Sequence, residues 1–163
     1  IQEASFFSSS SKYGTPHKQS ALADFIKFSS SDIQILKDTI VENKRNLQLK
    51  ISPERKINKI DLTTDDSFVL NSMSVQGVEF EIEKSEFKIN PGQFLTYYLS
   101  YEDKDVTIEL DFEENLSPSL NLIETSFDLF ESEKFNFKPR EDYMMPMPFV
   151  NTDAIVLSKK IKL

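Results

Sequence analysis

An all-β fold, an antiparallel β-sandwich with an irregular N-terminal tail, is what this 163-residue sequence predicts. Three observations predict it. Short runs alternate apolar and polar residues with period two, most cleanly Val106-Thr107-Ile108-Glu109-Leu110-Asp111-Phe112. A strand places Val106, Ile108, Leu110 and Phe112 on one face, whereas a helix scatters them around its circumference. Such runs return every 8 to 12 residues or so, roughly the rhythm of a sandwich and not of a parallel α/β fold. Turn-forming residues separate them: Gln76-Gly77, Asn90-Pro91-Gly92 and Glu102-Asp103-Lys104-Asp105.

Residues 1–31 read as a linker or N-terminal arm, with the Ser8–Ser11 run, Gly14, Pro16 and His17. Asp24 to Phe28 suit a short strand or arm, and Ser29 to Ser31 punctuate the chain. The sandwich is assigned to residues 32–163. Ile33, Leu36 and Ile40 fit either a strand or a helical stripe behind a Ser31 cap, and strand is preferred. Val41 to Asn46 read as a polar hairpin loop leading into the alternating strand Leu47–Ile51, which Pro53 ends. Val78 to Glu83 show one apolar and one acidic face. Lys59–Leu62, Phe68–Val75, Phe94–Tyr101, Ser119–Thr125 and Ile155–Leu163 complete the predicted strands.

Composition allows a substantial core, with 39% hydrophobic residues and 14 Phe, and it excludes several classes of function. A formal charge of −8, from 19 basic and 27 acidic residues, argues against binding nucleic acid, which needs clustered cations. Without Cys there is no disulfide, thiolate nucleophile or Cys-ligated zinc. Gly14, Gly77 and Gly92 stand too far apart for a nucleotide-binding loop. No run approaches the ~18 apolar residues of a membrane span. Because the chain opens on Ile1 and not Met, it is expected to be part of a longer polypeptide.

Catalytic chemistry has few candidates. His17 is the sole imidazole and sits in the Ser- and Pro-rich tail, where nothing orients it as base or ligand. No catalytic residue, metal site or cofactor is assigned within the chain. Glu79, Glu81 and Glu83 share one strand face and read as solvated charges. Asp61, Asp65 and Asp66 are spaced for oxygen ligation, yet lack the Gly and the terminal Glu of a calcium loop. Tyr97, Tyr98 and Tyr101 suit either a sugar-stacking platform or ordinary strand packing, and alternation sends Tyr98 to the face opposite Tyr97 and Tyr101. The stretch Lys138 to Phe149 holds Pro139, Pro146 and Pro148, so neither helix nor central strand fits it. Its Tyr143, Met144, Met145, Met147 and Phe149 are too apolar to be left in water without cause. Met145, Met147 and Phe149 plugging one end of the sandwich is the preferred reading; an adaptable contact surface for another domain is the other.

The same stretch carries a family resemblance. Pro139-Arg140, then Tyr143-Met144-Met145-Pro146, then Asn151-Thr152-Asp153-Ala154-Ile155-Val156-Leu157-Ser158-Lys159 resemble the closing signature of multi-pass membrane zinc metallopeptidases of peptidase family twenty-eight. That family includes the vacuolar membrane protease and endoplasmic-reticulum metallopeptidase types. Arg45 to Arg55 and the turn Ser74-Val75-Gln76-Gly77 are similar to earlier parts of the same C-terminal domain, so the likeness covers roughly residues 33–163. It implies a non-catalytic accessory domain on the non-cytoplasmic side of a membrane, periplasmic, extracellular or lumenal. Its partners would be the chain's own peptidase and transmembrane regions, and zinc would belong to the peptidase domain alone. None of the family's zinc ligands maps onto this sequence. A carbohydrate-binding-like module using Tyr97, Tyr98 and Tyr101 is the alternative.

Overall fold

A computed structural model describes residues 26–80, 87–100, 104–113, 118–135, 137–138, 140–145, 151 and 153–163. In chain order its strands are β1 (Asp32–Val41), β2 (Lys44–Ser52), β3 (Lys59–Thr64), β4 (Phe68–Val75) and β5 (Val78–Glu79). β6 (Phe87–Ile89), β7 (Gly92–Tyr98), β8 (Val106–Glu113), β9 (Leu120–Ser126) and β10 (Ile155–Ile161) follow. Every pairing is antiparallel. One sheet runs β1-β2-β8-β4, with β5 and β6 side by side along the far edge of β4; the other runs β10-β9-β3-β7. The two pack face to face as the expected β-sandwich, and no described residue is helical.

Several boundaries differ from the sequence reading. The strand–helix ambiguity at Ile33 to Ile40 resolves as strand, because Ile33 and Ile35 pair with Ile51 and Leu49 of β2. The expected loop over Val41 to Asn46 shrinks to Glu42-Asn43, whose φ angles of 51° and 63° fit a two-residue hairpin turn. The short β6 was not anticipated. Val78 and Phe80 stay 68% and 45% exposed, so the apolar face of that run is not buried where it is described. Glu81, Ile82 and Glu83 lie outside the described residues, as do Ser8–Ser11, Gly14, Pro16 and His17.

The core is built from the rows that alternation points inward. Leu47, Leu49 and Ile51 of β2 and Val106, Ile108, Leu110 and Phe112 of β8 have no solvent exposure. Across the gap, Ile60 and Leu62 of β3 with Leu120 and Leu122 of β9 are equally sealed. Each such side chain contributes about 1.5–3 kcal/mol by leaving water. β8 is paired on both edges, by β2 and β4, so its row is held from both sides.

Two register shifts, in β4 and β7, keep apolar residues facing inward where strict alternation would turn them out, and a third, in β1, leaves apolar residues exposed. In β4 the apolar positions run Phe68, Leu70, Met73, Val75, and the pairing with β8 skips Asn71, which absorbs the odd step. The Asn71 amide is in turn tied to Asp111 at 2.9 Å. In β7 the pairing skips Phe94, whose ring meets Phe68 edge-on at 5.8 Å, while Phe68 meets Phe112 at the same distance. These rings bridge the two sheets. In β1 the pairing skips Leu36.

One end of the sandwich is polar. Glu124 of β9 is 1% exposed on the core-facing row, and its Oε1 accepts the Ser31 backbone N–H at 2.6 Å. The Ser31 carbonyl accepts Lys159 Nζ at 2.8 Å. The last residues of the arm are thereby fastened to both β9 and β10, and Ser31 is itself buried. A buried carboxylate needs donors, so Ser31 is as necessary to Glu124 as the reverse.

Two expectations follow from this packing. Replacing Ile108 by Asp places an unpaired charge in the sealed row and should cost roughly 3–5 kcal/mol of unfolding free energy. Denaturant melts that leave the midpoint unchanged would reject this register. The second concerns β1, where Arg45 grips Asp38 through two hydrogen bonds of 2.7 Å. The hydrogen bond from Arg45 holds the Asp38 carboxyl below its ordinary value of 3.8; slight desolvation opposes and the guanidinium charge assists. Because the folded value is depressed, this stabilisation is complete above pH 3.8 and disappears as pH falls further, through the folded value. Amide exchange on β1 should therefore rise selectively in acid, and Asp38→Asn should remove that component; an unchanged acid profile in the variant would contradict it.

Candidate interaction surface

Ser126 and Ile155 are paired partners, so the chain between β9 and β10 leaves the sandwich and returns at the same end. Loops this long are uncommon in compact domains without a function. The first part of this excursion turns back on itself, with Glu131 and Ser132 N–H groups donating to the Asp128 carbonyl at 3.1 and 3.0 Å. It then lays Phe135 on Phe28 of the arm, ring centroids 5.8 Å apart, and Phe137 on Phe135 at 5.4 Å. Phe130 meets Phe137 edge-on at 6.4 Å. Phe28 also lies 4.4 Å from the Lys134 ammonium and 6.0 Å from the Arg55 guanidinium, both within cation–π range. A small aromatic cluster outside the main core thus joins the arm to the excursion.

Beyond it the chain is clipped into a loop. Arg140 grips Asp153 with a two-pronged ion pair, Nε donating to Oδ2 at 3.1 Å and Nη2 donating to Oδ1. A guanidinium fork on a carboxylate fixes orientation as well as distance, which a lysine does not do. Asp153 takes a φ of 59°, which Asp tolerates better than most residues, and its carbonyl accepts Leu129 N–H at 3.3 Å. Lys138 pairs with Glu141 at 2.5 Å, and Met144 N–H closes a turn onto the Glu141 carbonyl at 2.8 Å. Lys59 Nζ reaches Asn151 at 3.4 Å.

Within the clip Tyr143, Met144 and Met145 are 82%, 45% and 85% exposed. The preferred expectation, that Met145 plugs the end of the sandwich, is thereby corrected. The tight turn at Glu141 to Met144 faces these side chains outward. Met147, Phe149, Pro139, Pro146 and Pro148 lie outside the described residues.

The other candidates separate. Tyr97 packs partly against the core while Tyr98 is 69% exposed on the opposite face, so these two rings form no common platform; Tyr101 lies outside the described residues. Asp61 is buried and occupied, paired with Lys59 at 3.0 Å and accepting Thr96 Oγ1 at 2.7 Å. Asp65 and Asp66 instead face Ser119, whose Oγ and N–H donate to them at 3.3 and 2.8 Å. No group of three or more metal-ligating side chains gathers among the described residues. A cleft of about 520 Å³ is lined by Pro53, Arg55, Lys56, Ile57, Asn58, Leu99, Ser100 and Lys104, a described lining with cations but no carboxylate or imidazole.

Sequence reasoning missed the Arg140–Asp153 clip and the Glu124–Ser31 contact. Partners 13 and 93 positions apart follow no period, although a Glu on the apolar row of a strand was a visible sign that something must satisfy it. Comparison with family models, with characterised proteins and with solved structures gives no match.

Opening the clip by Arg140→Ala should raise hydrogen exchange at Leu129 N–H, which bonds to Asp153, while costing only about 1 kcal/mol globally because the pair is partly exposed. Arg140→Lys should restore the charge but not the fork, and so recover little protection. Unaltered exchange in both variants would show that the clip does not hold the loop.

Proposed function

We propose that this chain is a non-catalytic interaction domain, the C-terminal accessory domain of a membrane-anchored zinc aminopeptidase of family twenty-eight, and that it docks through the clipped loop onto the rest of that protein. Parentage rests on the resemblance in sequence. One observation supports the docking role. Arg140 and Asp153, both within the family-like signature, are fastened to each other, and Tyr143 and Met145 between them stand in water. Large apolar side chains displayed on a fixed loop are what a contact surface needs, since pre-fixing the loop lowers the entropy lost on docking. Methionine adds adaptability, its thioether fitting irregular partner surfaces. On this reading zinc and the hydrolytic groups belong to the peptidase portion, and the domain lies on the non-cytoplasmic side, next to its own transmembrane and peptidase regions. No described helix is long and apolar enough to cross a membrane.

The test uses the full-length reading frame. Upstream hydrophobic spans and a His, Asp and Glu zinc constellation are expected there, and their absence would remove the parentage. A photo-crosslinking residue placed at Tyr143 should capture the peptidase or membrane-proximal part of the same polypeptide. The double variant Tyr143→Ser, Met145→Ser should abolish that capture while shifting domain stability by less than about 0.5 kcal/mol, because both side chains are exposed. Crosslinks confined to solvent, or a large loss of stability, would overturn the docking role.

A further inference from the structure

We infer that the seam between β1 and β10 binds an extended peptide segment of alternating apolar and acidic residues, added to the sheet as a further strand on β1. This is independent of the proposed docking loop. β1 is the end strand of its sheet and, among the described residues, pairs only with β2. An open edge offers a row of unpaired N–H and C=O groups, and proteins normally blunt such edges with proline, brevity, charges or a bulge. β1 has a bulge at Leu36 followed by Lys37, but it has ten residues and no proline, and displays Ile35, Leu36, Ile40 and Val41 at 43%, 51%, 53% and 65% exposure.

Beside this edge lies β10, the end strand of the other sheet, and between them a groove of about 300 Å³. Ile33, Ile35 and Ile161 line it together with Lys159, Lys160 and Lys162. Three lysines give this groove a cationic rim on a chain that carries −8 as a whole. Of the acidic groups of β1, Asp38 is ion-paired with Arg45 and Asp32 accepts the neutral Gln34 amide at 2.9 Å, and among the described residues neither forms an ion pair with the lysines of the groove. Lys159 is committed to the Ser31 carbonyl, while Lys160 and Lys162 are exposed. The complement to an open backbone edge, an apolar floor and a cationic rim is a strand with apolar side chains on one face and carboxylates on the other. An anionic lipid surface answers the lysines but leaves the β1 backbone unpaired, which favours peptide over membrane.

A fluorescent peptide with the sequence Thr-Glu-Val-Asp-Val-Glu-Thr, which alternates apolar and acidic residues and does not occur in this chain, serves as the probe. It should bind the chain saturably, and Lys160→Glu with Lys162→Glu should weaken binding about tenfold or more without altering the melting temperature, both positions being exposed. A probe N-methylated at alternate residues, which keeps every charge but cannot complete the ladder, should also lose binding. Equal affinity for the lysine variant, or for the N-methylated probe, would overturn strand addition at this seam. So would capture of the chain by vesicles containing anionic lipid with no binding of the probe, or concentration-dependent self-association abolished by the lysine substitutions, which would make the occupant a membrane or a second copy.

Discussion

A β-strand sends only alternate side chains to the interior, so a sandwich stands or falls on keeping apolar residues in phase along every strand that closes it. Here the phase is set by β8, whose sealed row is clasped by β2 and β4. β2 follows with a register that places Leu47, Leu49 and Ile51 opposite Leu110, Ile108 and Val106. A slip of one residue would exchange Ile108 for Thr107 or Glu109 at the core, and every neighbour would have to slip with it. The register shifts at Asn71 and Phe94 are the places where this constraint is met by adding a residue instead of moving a strand. That the rings of Phe68, Phe94 and Phe112 converge near them shows why the extra residues are kept: a bulge turns a side chain that alternation would send outward.

Much of this was legible before the structure. The runs through Val106 to Phe112 and Leu47 to Ile51 could be nothing but half-buried strands, because period two and β-rich composition agree in them. Phe68 to Val75 was read only as a strand, and the step of three in Phe68, Leu70, Met73, Val75 is the mark in the sequence of the bulge seen in the structure. What alternation does not report is which strand neighbours which, or where a loop turns. The hairpin at Glu42-Asn43 was over-lengthened because the polar residues Lys44 to Asn46 look like loop when they are the start of a strand. The orientation of Tyr143 and Met145 went wrong for a different reason. Apolar character states a preference for burial, and the backbone turn at Glu141 to Met144 overrides it by leaving these side chains in solvent.

Polar contacts were the least legible part and they organise one end of the molecule. Glu124 has one oxygen satisfied in the interior by the Ser31 amide, brought to it from far away in sequence, and Lys159 donates to the carbonyl of the same residue. The arm therefore belongs to the packing of the domain from Ser31 onward, and the aromatic stack on Phe28 extends that attachment outward. Asp61, buried on β3 and matched by Lys59 and Thr96, is a second instance of a carboxylate whose worth is structural.

The clip between Arg140 and Asp153 makes the intervening chain a closed ring whose closure is non-covalent. β10 lies beyond it and is held along its whole length by β9. A backbone break inside the ring, between Tyr143 and Met145 for instance, would leave the upstream piece ending in a gripped arginine and the downstream piece beginning just ahead of a gripped aspartate and a seven-residue strand already zipped into its sheet. The two pieces would stay together as a nicked but whole domain, so this loop can be cut by a protease, or opened for attachment of a label, with integrity of the sandwich no longer depending on continuity of the chain.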